Sequence, residues 1–353
     1  MWSRHTPQRE DEAGSTRAFG SFGRVYRGSL SSDSAKVRFF GPQRFKASRR
    51  FLTARPSVRC PVSDQTSLKG TSDGVPLVSI IISTHNRAAQ LAEAVESARG
   101  QDYPRLEVIL INDGSIDETA EVIDSYRNDR RFRIITNSTN LGLAASLNIG
   151  IEASSGKYIA RIDDDDRWTD RQKLTLQVAF LEAHAEHAVV GTAYTDESGR
   201  LVNNPASDAQ IRQQMLYRCP FCHSSVLIRA DTLGPRFRYN TELAYGEDWE
   251  LWLRIGAQYQ MANLPTATLS RTQGSDTLSR RHFQHQLDLA IALVGTYGQE
   301  YPNHSWALFF HRMARWFFRY FPANGKVHQL AARAYRRLFL SSDGQSNKLP
   351  KVR

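Results

Sequence analysis

The 353-residue chain is predicted to fold as an α/β domain from about Val75 onward. Two observations carry that prediction. Short β-branched runs alternate with segments of helical period, and polar loops recur at the C-terminal ends of those runs, where open α/β sheets bind their ligands.

Taken in order, Val78-Ser79-Ile80-Ile81-Ile82 is apolar enough for a strand buried on both faces, and it runs into Ser83-Thr84-His85-Asn86-Arg87. Leu91, Ala94, Val95 and Ala98 then share one side of a helix. Leu106 to Ile111 is a second strand ending at Asn112-Asp113-Gly114-Ser115, with Asp117 placed to cap a helix through Val122 and Ile123. Phe132 to Ile135 is a third strand. Asn140-Leu141-Gly142-Leu143 opens a helix carrying Leu147, Ile149 and Ile151, and Lys157 to Ile162 is a strand that ends in Asp163-Asp164-Asp165-Asp166. Beyond Trp168 the pattern gives a helix from Leu174 to Leu181, a strand near Ala188 to Val190, a turn at Glu197 to Arg200, a strand from Ser225 to Ile228 and a helix opened by Gly246-Glu247-Asp248-Trp249. After about residue 283 the sequence reads as helical.

Composition narrows the function classes. Mean hydropathy is −0.48, and no run approaches the roughly 18 apolar residues that a membrane span needs. Cys60, Cys219 and Cys222 are too few for a disulfide framework, and the first residues lack the apolar stretch of a secretory signal, so a cytoplasmic setting is expected. Most of the net charge of +10 sits in residues 1–70, with fourteen Lys and Arg against five acids. This leader, taken as residues 1–74, is rich in Ser, Arg and Gly and is expected to be a disordered basic tail, which lends nucleic-acid binding only weak support.

The four consecutive aspartates demand an explanation, because carboxylates on one turn repel each other unless a cation is shared among them. Hard ions such as Mg2+ or Mn2+ take oxygen ligands, and substrate phosphates commonly complete their shell. An acidic cluster at a strand end therefore suggests a metal-diphosphate site, with a solvated acidic loop as the plain alternative.

Five motifs succeed one another along the chain: Val78 to Arg87, Ile111-Asn112-Asp113-Gly114-Ser115, Asn140-Leu141-Gly142-Leu143, Ile162-Asp163-Asp164-Asp165-Asp166 and Gly246-Glu247-Asp248-Trp249-Glu250-Leu251-Trp252-Leu253-Arg254. In that order they resemble the catalytic domain of glycosyltransferase family 2, from about Pro76 to Arg280. The resemblance implies a GT-A fold, a Rossmann-like mixed sheet flanked by helices, over residues 75–282, with 283–353 as a helical C-terminal extension. It implies inverting, metal-dependent transfer from a nucleotide-sugar, UDP-linked, to a hydroxyl of a glycan, lipid-linked or other acceptor, in polysaccharide or cell-envelope biosynthesis, with Mn2+ or Mg2+ as cofactor. The alternative is a non-catalytic nucleotide-sugar-binding or assembly subunit of the same fold.

Site roles are implied by the same resemblance. Asp163 and Asp165 are the matched acidic pair, with Asp164 at the variable position; Asp165 ligates the metal and Asp163 reaches the metal or ribose. Thr84, Asn86, Arg87 and Asp113 face the donor, Asp113 through its base. Asn140 and Gly142 shape the pocket floor, His223 faces donor or acceptor, and Arg271, with Arg280, holds the diphosphate. Asp248 is the base, with Glu247 positioning the acceptor. Plainer readings exist for several of these: a turn at Asn112-Asp113-Gly114, a cap at Asn140, helix N-terminal charge at Glu247 and Asp248, and a structural His223. Cys219-Pro220-Phe221-Cys222-His223 spells a haem-attachment or redox pattern, but neither reading is favoured without an export signal. Finally, Trp306 to Phe321 places Arg312, Arg315 and Arg319 on one helical face and aromatics over most of the rest. The aromatics are expected to pack on the catalytic domain, with peripheral association at the inner face of a membrane as the alternative.

Overall fold

The computed structural model describes residues 74–233, 238–272, 283–320, 325, 330, 331 and 335. The basic leader and Arg280 lie outside the described residues. A mixed sheet forms the centre, with strands β1 (Val78–Thr84), β2 (Leu106–Asn112), β3 (Phe132–Thr136), β4 (Tyr158–Arg161), β5 (Arg167–Trp168), β6 (His187–Thr195), β7 (Leu201–Val202), β8 (Leu227–Arg229) and β9 (Gln260–Ser270). Their spatial order is β3-β2-β1-β4-β8-β6-β9-β5, with β7 on β6. The first four strands are parallel, β8 runs antiparallel between β4 and β6, and β6 and β9 are parallel.

Alternation of side chains sorts the core into two layers. Val78, Ile80 and Ile82 of β1, with Val108 and Leu110 of β2, pack on α1 (Ala88–Arg99), α2 (Thr119–Asp124) and α4 (Lys173–Ala183). Ile81, Ile109 and Ile111 face the other way, towards α3 (Leu143–Ala153), α5 (Asp208–Gln214) and α7 (Glu247–Gly256). A short α6 (Ala230–Leu233) succeeds β8. On the second layer lie α8 (Phe283–Tyr297) and α9 (His304–Tyr320), which add Leu287, Ala290, Leu293, Val294, Ala307 and Phe318 to the same cluster as Trp249 and Trp252.

The predicted face of α1 is the buried one, since Leu91, Ala94, Val95 and Ala98 are all inaccessible. Several elements depart from expectation. Asp117 does not occupy the N-cap of α2, which falls at Glu118; its carboxylate accepts from Thr119 N at 3.1 Å and so stands one residue earlier. His223–Ser225 forms a 3-10 turn and the strand begins only at Leu227, because Ser225 Oγ and N both bond back to Cys222 O. Strand β9 has no counterpart in the sequence pattern. Pro265 interrupts it, and the β6–β9 register shifts between Thr192 and Ala193 opposite that point, so a bulge accommodates the residue that hides the strand.

Gly114 fixes the join between the loops after β2 and β3. Its φ is +67°, and a Cβ there would lie 2.5 Å from the Thr139 carbonyl carbon and 2.6 Å from Asn140 N. Both neighbours are backbone and cannot step aside. Gly114→Ala is expected to cost about 2 kcal/mol or more, from the left-handed conformation and the overlap together. A fall of several degrees in Tm by calorimetry checks this, and an unchanged Tm would rule out the backbone overlap as a constraint.

Candidate active site

The parallel strands end on one edge of the sheet, and the site is built from the loops that leave them. After β1, Asn86 adopts φ 53°; its Oδ1 accepts from Ile116 N and its N–H donates to Ser115 Oγ, so the two loops brace each other. Arg87, the N-cap of α1, extends Nη1 to Asp165 Oδ2 at 2.5 Å, with Nε 4.0 Å from Asp164 Oδ1. The buried Thr84 hydroxyl lacks a hydrogen bond of ordinary geometry, although it lies near enough to Asp164 to favour the ionised form.

Asp113 is buried at the end of β2, and its carboxylate is already in use. Oδ1 accepts from Asn137 Nδ2 and Leu141 N, and Oδ2 from Gly142 N, at 2.8–2.9 Å. Those bonds hold the approach to α3. Asn140 does not cap the helix by its side chain; it accepts from Gly142 N, and Gly142, at φ +89°, is the N-cap.

The aspartate run bends around Ser224. Ser224 Oγ accepts from Asp163 N at 3.0 Å and lies within hydrogen-bond range of carboxylate oxygens of both Asp163 and Asp166. Asp166 Oδ1 also accepts from Thr272 N at 3.0 Å, which ties the acidic loop to the segment leaving β9. Behind this, Trp168 Nε1 donates to Ser224 O, and the fully buried Lys173 ammonium lies 4.1 Å from the centre of the Trp168 ring while donating to Gln177.

Charge in this corner is only partly compensated. Burial, with Asp163 and Asp165 alongside, pushes Asp164 up to about 6. Burial and Asp163 push Asp166 up to about 7. Asp163 behaves oppositely: burial works to raise it, but the Arg161 guanidinium outweighs that and holds it well below the usual carboxylate range. Arg161, 1% exposed at the end of β4, donates Nη2 to Asp163 Oδ1. Its Nε and Nη1 are buried with no hydrogen-bond partner among the described residues.

Glu247 and Asp248 open α7 behind the left-handed Gly246. Burial and the adjacent Asp248 push Glu247 up to about 7. Burial raises Asp248 too, against Trp249 N at 2.7 Å, the Arg161 charge and the Cys219 thiol, whose Sγ is 3.6 Å from Asp248 Oδ2. Both carboxylates sense Asp163 and Arg161, so the two acidic motifs, distant in sequence, share one electrostatic field. His223 contributes from the side: its Nε2 pairs with Tyr239 OH at 2.8 Å, its ring packs edge-on against Trp252, and burial drives its pKa well below 6.5, leaving the imidazole neutral. Arg271 comes directly after β9 with its N–H on Thr195 O, and its charge is felt by Asp163 and Asp166.

Arg161, Ser224 and Tyr239 are site residues that the sequence motifs do not mark. For Arg161 a signal exists, since it is the only charged residue between Tyr158 and Ile162 in an otherwise buried strand. No local signal marks Ser224 or Tyr239.

The family of the chain is settled by its relatives. Residues 79–240 match the family described as glycosyl transferase family 2. An uncharacterized glycosyltransferase of Haemophilus influenzae is 32% identical over 224 residues, spanning 59% of this chain and 69% of its own length. AmsE, an amylovoran biosynthesis glycosyltransferase of Erwinia amylovora, is 32% identical over 213 residues, 58% of this chain and 79% of that one. WfaP of Escherichia coli, a UDP-Glc:alpha-D-GlcNAc-diphosphoundecaprenol beta-1,3-glucosyltransferase, is 31% identical over 181 residues, 51% and 70% respectively. This chain belongs to glycosyl transferase family 2 and is a glycosyltransferase. Its fold is shared with S. aureus TarS 1–349, solved in complex with UDP-GlcNAc, at a TM-score of 0.55 and 20% identity over 74% of this chain and 81% of TarS 1–349. It is shared also with the mannosyltransferase PcManGT from Pyrobaculum calidifontis, solved with GDP-Man and Mn2+, at a TM-score of 0.53 and 17% identity over 75% and 85%.

Arg161→Met leaves Asp163 without its counter-charge, and the variant can relieve that only by protonating a carboxylate. The expected loss is about 1–3 kcal/mol near pH 7, discounted because Asp163 is 34% exposed. The sign is set by the depressed Asp163: its contribution is fully present above the unfolded pKa of about 4 and is lost as pH falls below it, so the gap from wild type holds from pH 7 to about 4 and narrows below that. Urea unfolding from pH 7 to about pH 3 checks this; a gap that stays constant below about pH 4 would mean that Arg161 acts by packing alone.

Proposed function

We propose that the chain transfers a sugar from a nucleotide-sugar, UDP-linked, to a hydroxyl of a glycan or lipid-linked acceptor with inversion at the anomeric carbon. The observation that carries this is the shared field of two carboxylate groups, Asp163 to Asp166 and Glu247 with Asp248, around Arg161. One is suited to a cation and diphosphate, the other to proton removal. The UDP-Glc donor and diphosphoundecaprenol-linked acceptor in the name of WfaP favour this donor and acceptor class.

The residues present fit a divalent cation. They are hard carboxylate oxygens crowded on one turn, and burial together with the neighbouring Asp163 and Asp165 raises Asp164 and Asp166. No group of three or more His, Cys, Asp or Glu side chains among the described residues could hold a metal, so the protein would supply only part of the shell. Asp163 and Asp165 would hold Mn2+ or Mg2+, and the ion, when bound, would neutralise charge on the diphosphate. The Mn2+ in the PcManGT complex supports that choice.

In this reading Thr84, Asn86, Arg87 and Asp113 border the nucleoside, Asn140 and Gly142 shape the floor, and Arg271 and His223 border the diphosphate and sugar. Asp248 accepts the acceptor proton as the hydroxyl oxygen bonds to the anomeric carbon. The bond from that carbon to the diphosphate breaks on the opposite face, and its electron pair leaves with the diphosphate oxygen. Glu247 orients the acceptor.

A panel of nucleotide-sugars, with and without Mn2+, is tested by thermal shift and donor hydrolysis on wild type, Asp165→Ala and Asp248→Asn. One donor is expected to stabilise wild type only with metal, and Asp165→Ala to lose that shift. Asp248→Asn should keep the shift and lose about 10²-fold or more in hydrolysis. Retained hydrolysis in Asp248→Asn would remove the base assignment, and absence of any donor shift would favour the assembly-subunit alternative. Because Glu247 is raised to about 7 beside Asp248, wild-type hydrolysis should climb with pH through about 7 as the pair loses its last proton. A profile flat from pH 5 to 8 would contradict this.

A further inference from the structure

Helix α9 departs from the expected packing. Ala307, His311 and Phe318 form its buried edge, and His311 is fixed there by Leu216 O and Tyr335 OH. Leu308 and Phe317 pack partly against the core, whereas Trp306, Phe309, Phe310, Met313, Trp316 and Tyr320 are 36–67% exposed. At roughly 100° per residue these six fall within one sector about 120° wide, centred about 140° from the buried edge. Arg312, Arg315 and Arg319, all exposed, occupy the flank between the buried edge and that sector. The helix contains no acidic residue.

We propose that this face of α9 docks on an anionic phospholipid bilayer, with the aromatic stripe at the level of the headgroups and the arginines against lipid phosphates. Three features select this occupant. Trp, Tyr and Phe with flanking Arg are the composition of an in-plane interfacial helix, whereas a helix seam is usually aliphatic. The charge is one-sided: Arg315 is paired to Asp288 on α8, at 2.5 Å, but no acid on α9 itself balances Arg312 and Arg319. A second copy meeting this face would set like charges against each other, which lipid phosphates would not. The sequence from 321 to 353 continues the bias, with seven Lys and Arg against one acid. Docking would also bring the base helix near the bilayer, because α8 links α9 to α7: Leu289 lies against Gly246, and Tyr297 OH donates to Glu250.

The test is flotation of the full chain with vesicles of phosphatidylglycerol and phosphatidylcholine, compared with phosphatidylcholine alone, at low and high salt. The protein should float with the anionic vesicles and bind neutral ones about tenfold more weakly or less, with high salt releasing it. The triple variant Trp306→Ser, Phe309→Ser, Trp316→Ser should lose flotation while its Tm stays within a degree or two of wild type, since these side chains are outside the core. Arg312→Gln with Arg319→Gln should lose the preference for anionic vesicles. Flotation undiminished in the triple variant would assign binding to the basic leader and overturn the proposal. So would failure of wild type to float, or a dimer in sedimentation that the triple variant abolishes, which would give the face to a second copy.

Discussion

Arg161 is the residue on which the site depends. A fully buried guanidinium at the end of a central strand is costly unless anions surround it, and here Asp163, Glu247 and Asp248 all sense it. The reverse also holds. Without Arg161, the acidic side chains of two distant segments would share a poorly solvated corner, with Arg87 and Arg271 acting on the aspartate run. Burial first, with neighbouring carboxylates adding to it, raises Asp164, Asp166 and Glu247. Nε and Nη1 of Arg161 still lack partners among the described residues, so the arrangement is unfinished in a way that an oxygen-rich ligand could complete.

Around that charge the fold supplies rigid attachment. Strand ends hold Thr84, Asn112 and Arg161, and short loops are locked to one another rather than left to solvent. Asp113 spends its carboxylate on the approach to α3, Asn86 stitches the first loop to the second, and Asp166 with Ser224 joins the acidic turn to the segment after β9. Each bond is worth about 1 kcal/mol on its own. Their joint effect is to restrict where the carboxylates can go, which is what an electrostatic site requires.

The second layer has a different relation to its surroundings. Helix α7 is buried on nearly every side chain after Asp248, with Trp249, Leu251, Trp252, Leu253 and Ile255 in the core. Helix α9, richer in aromatics, buries one narrow edge. Aromatic content alone does not predict burial. What separates them is the surface left to cover: α7 is enclosed, with Trp252 against Phe221 and His223 and Trp249 Nε1 donating to Met215 O, whereas α9 rests against α8 and the Leu216–Tyr217 turn.

Much of the fold is legible in the chain because burial of a sheet on both faces forces continuous apolar runs, as in Val78 to Ile82 and Leu106 to Ile111, and helices beside it show their period, as in Leu91 to Ala98. The acidic run is legible as a cluster at a strand end, because Lys157 to Ile162 reads as a strand and the four aspartates follow it directly. Strand β9 is not, since Pro265 breaks its pattern and pairing with β6 and β5 makes it a strand. Nor can the sequence show that Ser224 and Tyr239 stand beside Asp163 and His223, or that Asp113 is occupied by its own loop. Local pattern determined which segments become strands and helices and which residues lie at their ends. Tertiary structure decided which charges meet and which aromatics stay outside, because long-range field and remaining coverable surface are properties of the assembled sheet and have no local period.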